Sequence, residues 1–418
     1  MKIDSDPNYG THLVAGIILL VVGCARGPSA AAPVPAGAPR FAAGDSVSVD
    51  TVAPSIVHYR VRRPTGPFSI HVVTVPAAQY EITAARALDS LHGRERVTDM
   101  VRRQRERGGR VPVALNADFF DLRTGTNENN QVIDGEVWKA VPVTDSPHDT
   151  FRNAHTQFAV GTDGRPYVDR FTYAGSLTGT CGRFVVDGIN GIPRVADALV
   201  IFTGAYGNAP LADSARAPAQ LVAMGPPARH GRGIDDIALT IVAAPGVGVS
   251  GILPDRYILA AYGTARTRLD SITHCAASPL QLSHAFRPDR GRLTMIIGGW
   301  PRVVTDGRNV AASADSVEGT FPRFSAERHP RSAVGFSRDS SVVYLVAIDG
   351  RQQTSAGMTL VELGDFLVSI GVFQALNLDG GGSTALVIDG RVVNAPSDPN
   401  GERAVGNAIL VRSKGSES

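Results

Sequence analysis

From residue 46 onward the chain is cut into short apolar runs by recurring turn residues, and this pattern confines it to a β-rich fold. "SIVHYRVRR" and "FSIHVVTVP" alternate in character on either side of Pro64-Thr65-Gly66-Pro67, a hairpin signal. The series continues with "VPVALNADFFD" (111–121), "FVVDG", "ALVIFTG", "IALTIVAA", "RYILAAYG", "LTMIIGG" and "SVVYLVAIDG". Two segments read as helices instead. "ALDSLHGRERVTDMVRRQRER" places Leu88, Leu91, Val97, Met100 and Val101 at mixed three and four spacings, and its basic end reads as a solvated face. "TLVELGDFLVSIG" (359–371) puts Leu360, Leu363, Phe366, Leu367 and Ile370 on one face. Thr359 and Glu362 there form a capping-box pair, and Gly371 is a C-terminal stop. The expected fold class is α+β: a β-rich single large domain over 46–414 with a mostly antiparallel sheet core and a few packed helices, 190–300 being readable as an inserted lobe.

With 43% hydrophobic residues, 418 residues are ample for such a core. The net charge of +2 gives no reason to expect a nucleic-acid partner. Lysine is confined to Lys2, Lys139 and Lys414, so planar recognition of carboxylate or phosphate falls to arginine. At the amino end, "LVAGIILLVV" (13–22) is too short to span a membrane and runs into Gly23-Cys24. Residues 1–24 therefore read as a signal peptide with a lipobox-like end, lipidated at Cys24 and anchoring the protein to a membrane. The alternative is an ordinary export signal cut near Ala30–Ala32. Residues 25–45, rich in Ala, Pro and Gly, read as a tether. Cys181 and Cys275 remain, either as one disulfide or as two packed thiols.

The glycine run in "NLDGGGSTALVIDGRVVNAPSD" (377–398) admits several readings. Gly380, Gly381 and Gly382 can bring main-chain amides onto an anion, because no Cβ blocks the approach. A Walker loop needs a lysine and a following helix, and neither is present. Ser383 lies in a near match to a nucleophile elbow, but a strand follows where that motif needs a helix. A plain glycine hairpin is the structural alternative. Polar pairs at strand ends add candidates: Asn116 with Asp118, Asn377 with Asp379, Arg331 after His329, Asp349 with Arg351, and Glu402 with Arg403. Each pair alone reads as a surface turn, and Arg403 as an ion-pair partner of Glu402. No H-x-x-x-H, C-x-x-C or calcium-loop motif occurs; carboxylate-bound Ca²⁺ or Mg²⁺ would leave no motif to find.

Taken in order, "ALNADFFD", "DGINGIPRVADALVIFT", "HPRSAVGFS", "VAIDGRQQTSAGMTLVELGDFLVSIG", "ALNLDGGGSTALVIDGRVVNAPSD" and "GERAVGNAILV" resemble the phosphodiester glycosidase family over residues 114–412. One departure is "NADFF", where many members carry Asn-Gly-Gly-Phe-Phe, so Asp118 is not a general family residue. The resemblance implies hydrolysis of a sugar-1-phosphodiester in a cell-envelope or extracellular glycan, giving free sugar and a phosphomonoester. It makes Asp379 the first catalytic carboxylate, with Glu402 and Asp118 as further acid candidates. Arg331 and Arg351 would clamp the phosphate together with the amides of Gly380–Gly382. Asn116, Asn377 and Ser383 would orient sugar hydroxyls or carboxylates, with Asp349 and Arg403 lining the same site. Two other classes stay open: a glycan-binding lipoprotein without turnover, and an esterase using Ser383.

Overall fold

The computed structural model describes residues 38–144, 146–193, 195–211, 217–227, 236–246, 252–274 and 278–414. The export-signal reading, Cys24 and Cys275 lie outside them. Cys181 is disulfide-bonded.

Among the described residues the chain forms five sheets, antiparallel but for the pairing of Gly188–Ile189 with Ala198–Thr203. The expected β-rich α+β class is the observed one. The first sheet has eight strands in the spatial order Ser46–Ala53, Ile56–Arg63, Phe68–Pro76, Val342–Ile348, Arg331–Phe336, Gln374–Asn377, Arg302–Thr305 and Arg308–Asn309. The hairpin expected at Pro64–Pro67 joins its second and third strands. A five-stranded sheet holds Arg391–Val392, Leu386–Ile388, Val113–Asn116, Asn407–Ser413 and Tyr80–Arg86. Another holds Glu136–Lys139, Gln131–Ile133, Leu293–Gly298, Gln157–Gly161 and Pro166–Asp169. These three sheets share one apolar core, in which Val73 and Leu345 meet Leu115 and Ile409 and also Phe158 and Ile297. A second eight-stranded sheet, built within residues 175–283, closes around its own core of Leu199, Leu221, Leu259 and Leu282.

Helix Leu360–Ser369 covers the first sheet with Leu360, Leu363, Phe366, Leu367 and Ile370, all 2% exposed or less. The Thr359 side chain accepts from the Glu362 amide, Glu362 returns to the Thr359 amide, and Gly371 ends the helix at φ +91°. The other helix is shorter than its pattern predicts: it spans Val97–Glu106 only. Leu88 and Asp89 adopt φ +55° and +47°, a left-handed turn that breaks the period, and Leu88 is exposed rather than buried. The amino-terminal edge of the domain is also better fixed than its composition implies. Phe41 packs on Tyr59, and Asp45 accepts two bonds of 2.8 Å from Arg63.

A Thr359→Ala substitution removes one side of the capping box. It is expected to lower the unfolding free energy by about 1 kcal/mol in a urea titration.

Candidate active site

Where the three sheets meet, strand Gln374–Asn377 hands the chain to the glycine turn and then to strand Leu386–Ile388. The turn is held by its neighbours' backbones: Leu378 N–H donates to Ser332 O and Asp379 N–H to Ala117 O, both 2.8 Å. Each glycine has its own reason to lack a side chain. A Cβ at Gly380 would strike the Pro330 carbonyl. Gly381 sits at φ +58°, beside the Arg351 guanidinium. A Cβ at Gly382 would occupy the space of the Asp398–Arg403 ion pair.

That ion pair is two-pronged. Arg403 Nε and Nη2 donate to Asp398 at 2.7 and 2.9 Å, and Nη1 donates to Ser383 Oγ at 3.3 Å. Arg403 therefore pairs with Asp398, not with Glu402. Ser383 is fully buried, with its hydroxyl between Arg403 and the Asp379 carboxyl. An arginine is no general base, and the hydroxyl's other neighbour is the Asp379 carboxyl, to which it donates.

Asp379 is partly buried, and burial pushes its carboxyl up to about 7. The Ser383 hydroxyl, the Arg403 charge and the Gly380 amide act in the opposite direction. A second acid adds to the rise: Glu128, itself pushed up to about 7 by burial and by nearby Asp118. Sequence reading passed over Glu128, because "TNENNQ" has the composition of a polar loop. It is a short antiparallel return. Phe120 bridges Asn127, and the Glu128 amide donates to Phe119 O at 2.9 Å. Asn127 and Asn129 turn inward and bind Asp118, at 3.0 Å from Asn127 Nδ2 and 2.8 Å from Asn129 Nδ2. Side chains alternate along extended backbone, so Glu128 between them points the other way. Ser146 Oγ donates to its Oε1 at 3.2 Å.

The basic flank consists of Arg351 and His329. Arg351 is exposed, has φ +59°, and brings Nη2 within 3.3 Å of His329 Nδ1. Burial lowers the affinity of His329 for a proton.

The remaining candidates are committed elsewhere. Asp118 is 2% exposed, and its oxygens accept from Asn127 and Asn129, so it supports the Glu128 turn rather than facing a ligand. Glu402 caps helix Val97–Glu106, taking the Thr98 amide at 3.0 Å and the Thr98 hydroxyl at 2.6 Å. Arg331 is 1% exposed and donates to the carbonyls of Met358, Phe324 and Glu327; burial pushes its pKa down to about 9. Asp349 accepts from the Ala395 amide and the Ser69 hydroxyl, pinning residues 394–395. Asn377 donates to Trp300 O at 2.6 Å. The Gly381 amide donates to Pro330 O and the Gly380 amide lies at Asp379, so these two are not free for a phosphate. Asn116 stitches the turn to both flanking sheets, giving Nδ2 to Asp379 O at 2.6 Å and taking Ser332 Oγ and Ala385 N–H on Oδ1. Among the described residues no group of three or more His, Cys, Asp or Glu side chains is gathered for a metal ion.

A partly buried pair of acids, an exposed arginine and a glycine turn make a centre suited to acid–base chemistry on an anionic ester. Residues 244–412 match the phosphodiester glycosidase family. Of the segments that carry the resemblance, those from "HPRSAVGFS" onward lie inside this match. Bovine N-acetylglucosamine-1-phosphodiester alpha-N-acetylglucosaminidase is 41% identical over 80 residues, which are 19% of this chain and 15% of that protein. The SPbeta prophage-derived protein YomE of Bacillus subtilis is 36% identical over 84 residues, 20% of this chain and 13% of its own. The matched stretches thus span a small part of both relatives. A Synechocystis protein of solved structure superposes with a TM-score of 0.67 at 22% identity, covering 88% of this chain and 64% of that one. BPSS2145 of Burkholderia pseudomallei gives 0.60 at 21%, covering 85% and 77%. These structures show a shared fold. Asp379, Arg351 and Arg403 lie inside the family match, whereas Glu128 lies before it.

Two outcomes follow from this geometry. Gly382→Ala forces the Asp398–Arg403 pair apart and is expected to cost about 1–3 kcal/mol in a urea titration. Gly44→Ala, with open space around it, should stay within about 0.5 kcal/mol of wild type. The raised carboxyls also fix a sign. An unfolded carboxyl ionises near 4, so folding favours the protonated forms. The stability these two groups contribute is complete below pH 4 and is lost as pH rises through about 7. Asp379→Asn and Glu128→Gln should each raise Tm at pH 8 by a few degrees and leave it nearly unchanged at pH 4.

Proposed function

We propose that the protein hydrolyses a sugar-1-phosphodiester, releasing the free sugar and a phosphomonoester. The family match supports a hydrolase acting on phosphodiester-linked glycans. The observation that carries the reading is Asp379 and Glu128, both pushed up to about 7 chiefly by burial, with the Glu128 charge adding to the rise at Asp379.

A phosphodiester is already a good leaving group and an anion. The site has to bind its charge and stabilise positive charge at the anomeric carbon. Arg351, exposed at the rim, takes the phosphate oxygens, with His329 beside it. Asp379 faces the anomeric carbon as base or nucleophile, its ionised form supported by Arg403, Ser383 and the Gly380 amide. Glu128 in its ionised form takes a proton from the attacking water as the water oxygen bonds to C1, and the bond from C1 to the phosphorus-bound oxygen breaks with its electron pair leaving on the phosphomonoester. With both carboxyls pushed up to about 7 by burial, each has ionised and protonated forms available near neutrality.

The substrate we propose is a cell-envelope or extracellular glycan, reached by an exported chain anchored through Cys24. That part rests on the leader sequence. No helix among the described residues is long and apolar enough to cross a membrane.

The test is release of reducing sugar from a panel of sugar-1-phosphodiesters by the purified protein. Turnover should follow a bell-shaped pH profile with limbs on either side of neutrality. Asp379→Asn and Glu128→Gln should each lower kcat by about 100-fold or more while the fold is kept. No release from any member of the panel by folded protein would overturn the reading.

A further inference from the structure

Beside Glu128 lies a group of phenylalanine rings, of which Phe324 packs against the core beneath helix Leu360–Ser369 while Phe119 and Phe321 do not. Phe119 and Phe321 belong to none of the apolar cores, and both are partly exposed. Phe324, also partly exposed, meets both at 5.9 Å. Phe151, 41% exposed, lies in van der Waals reach of the Gly319 position two residues before Phe321. Trp300 forms the floor. It is 3% exposed and stacks on His155 at 5.3 Å and on Phe324 at 4.9 Å.

The connections of this wall place it at the site. The Phe119 carbonyl takes the Glu128 amide, so that ring is anchored directly opposite the second acid. On the other flank the Arg323 carbonyl pairs with His329 Nε2 at 2.9 Å, and the Arg331 guanidinium lies 5.0 Å over the Phe324 ring. The short helix Pro322–Ser325, with Phe321 just before it, is thus tied to the basic flank, and its Phe324 ring meets Phe119 on the acidic one.

The chemistry of the wall discriminates between ligands. The rings themselves offer a ligand no hydrogen-bonding group. Here the indole is buried under its neighbours, and the exposed rings are phenylalanines without a polar atom. Such a wall gains free energy by covering hydrocarbon. A phosphodiester held at Arg351 carries its second ester group next to the phosphate, and the Arg351–His329 and His329–Arg323 contacts tie the segment bearing Phe321 and Phe324 to that flank.

We propose that Phe119, Phe321 and Phe324 form a subsite for an apolar ester group, so that the preferred substrate is a sugar-1-phosphodiester whose second ester is a hydrocarbon. This rests on the reaction proposed above, and the test separates the two. The purified protein is given methyl, butyl and hexyl esters of N-acetylglucosamine 1-phosphate and glucose 1-phosphate. In parallel, binding of ethyl and octyl phosphate is followed by tryptophan fluorescence, which needs no turnover. The subsite predicts that kcat/KM rises roughly tenfold from methyl to hexyl, mainly through KM, and that octyl phosphate binds about tenfold more tightly than ethyl phosphate. Phe119→Ala and Phe321→Ala, which touch no core, should bring both ratios close to one. A flat dependence on chain length in wild type, or ratios untouched by both substitutions, overturns the subsite even if the methyl esters are hydrolysed. Chain-length-dependent phosphate binding without any hydrolysis upholds the subsite and removes the proposed reaction.

Discussion

The Asn116 side chain is the joint on which the site depends. It ends a strand of one five-stranded sheet, and its single amide reaches three other places. It donates to the carbonyl of Asp379, accepts the Ala385 amide on the far side of the glycine turn, and accepts Ser332 from the eight-stranded sheet. A buried primary amide has one acceptor and two donors to satisfy, and an unmade bond there costs more than a made bond contributes. The arrangement therefore fixes the turn against both sheets at once. Asp379 is placed by backbone contacts and keeps its carboxyl available for chemistry.

Once the turn is fixed, the acids follow. Asp379 and Glu128 arrive from parts of the chain roughly 250 residues apart in sequence, and among the described residues neither has a direct ion-pair partner. Arg403, whose charge acts on Asp379, is committed to Asp398 and only partly offsets the burial. This is a costly way to hold two carboxyls, and it is the kind of strain that marks functional sites. Glycine at position 382 is part of the same arrangement, since only its missing side chain lets Arg403 and Asp398 come so close to the turn.

Much of this was readable from residue order. The helix after Thr359 declared its face and both its ends, and the glycine turn declared itself through the failure of the phosphate-loop and elbow patterns. Other features were hidden for physical reasons. The helix expected from Ala87 starts ten residues later because two non-glycine residues take left-handed conformations, which tertiary contacts impose and composition does not announce. Arginines read alike in sequence, yet Arg331 is spent on three carbonyls while Arg351 stands at the rim. Acids behave the same way: Glu402 caps a helix and Asp118 supports a turn. Glu128 was missed because a polar stretch reads as solvated loop. Its one signal was the asparagines around it, and their burial shows only once Asn127 and Asn129 are seen to close on Asp118.

The central claim is that Asp379 and Glu128 titrate as one coupled pair. Carboxyl-selective ¹³C NMR of the labelled protein, followed through a pH titration and assigned with Asp379→Asn, reads it directly. The account predicts that the Asp379 carboxyl titrates near 7 in wild type and at a clearly lower pH in Glu128→Gln, because one like charge has been removed. An Asp379 carboxyl that titrates near 4, with or without Glu128, would contradict it.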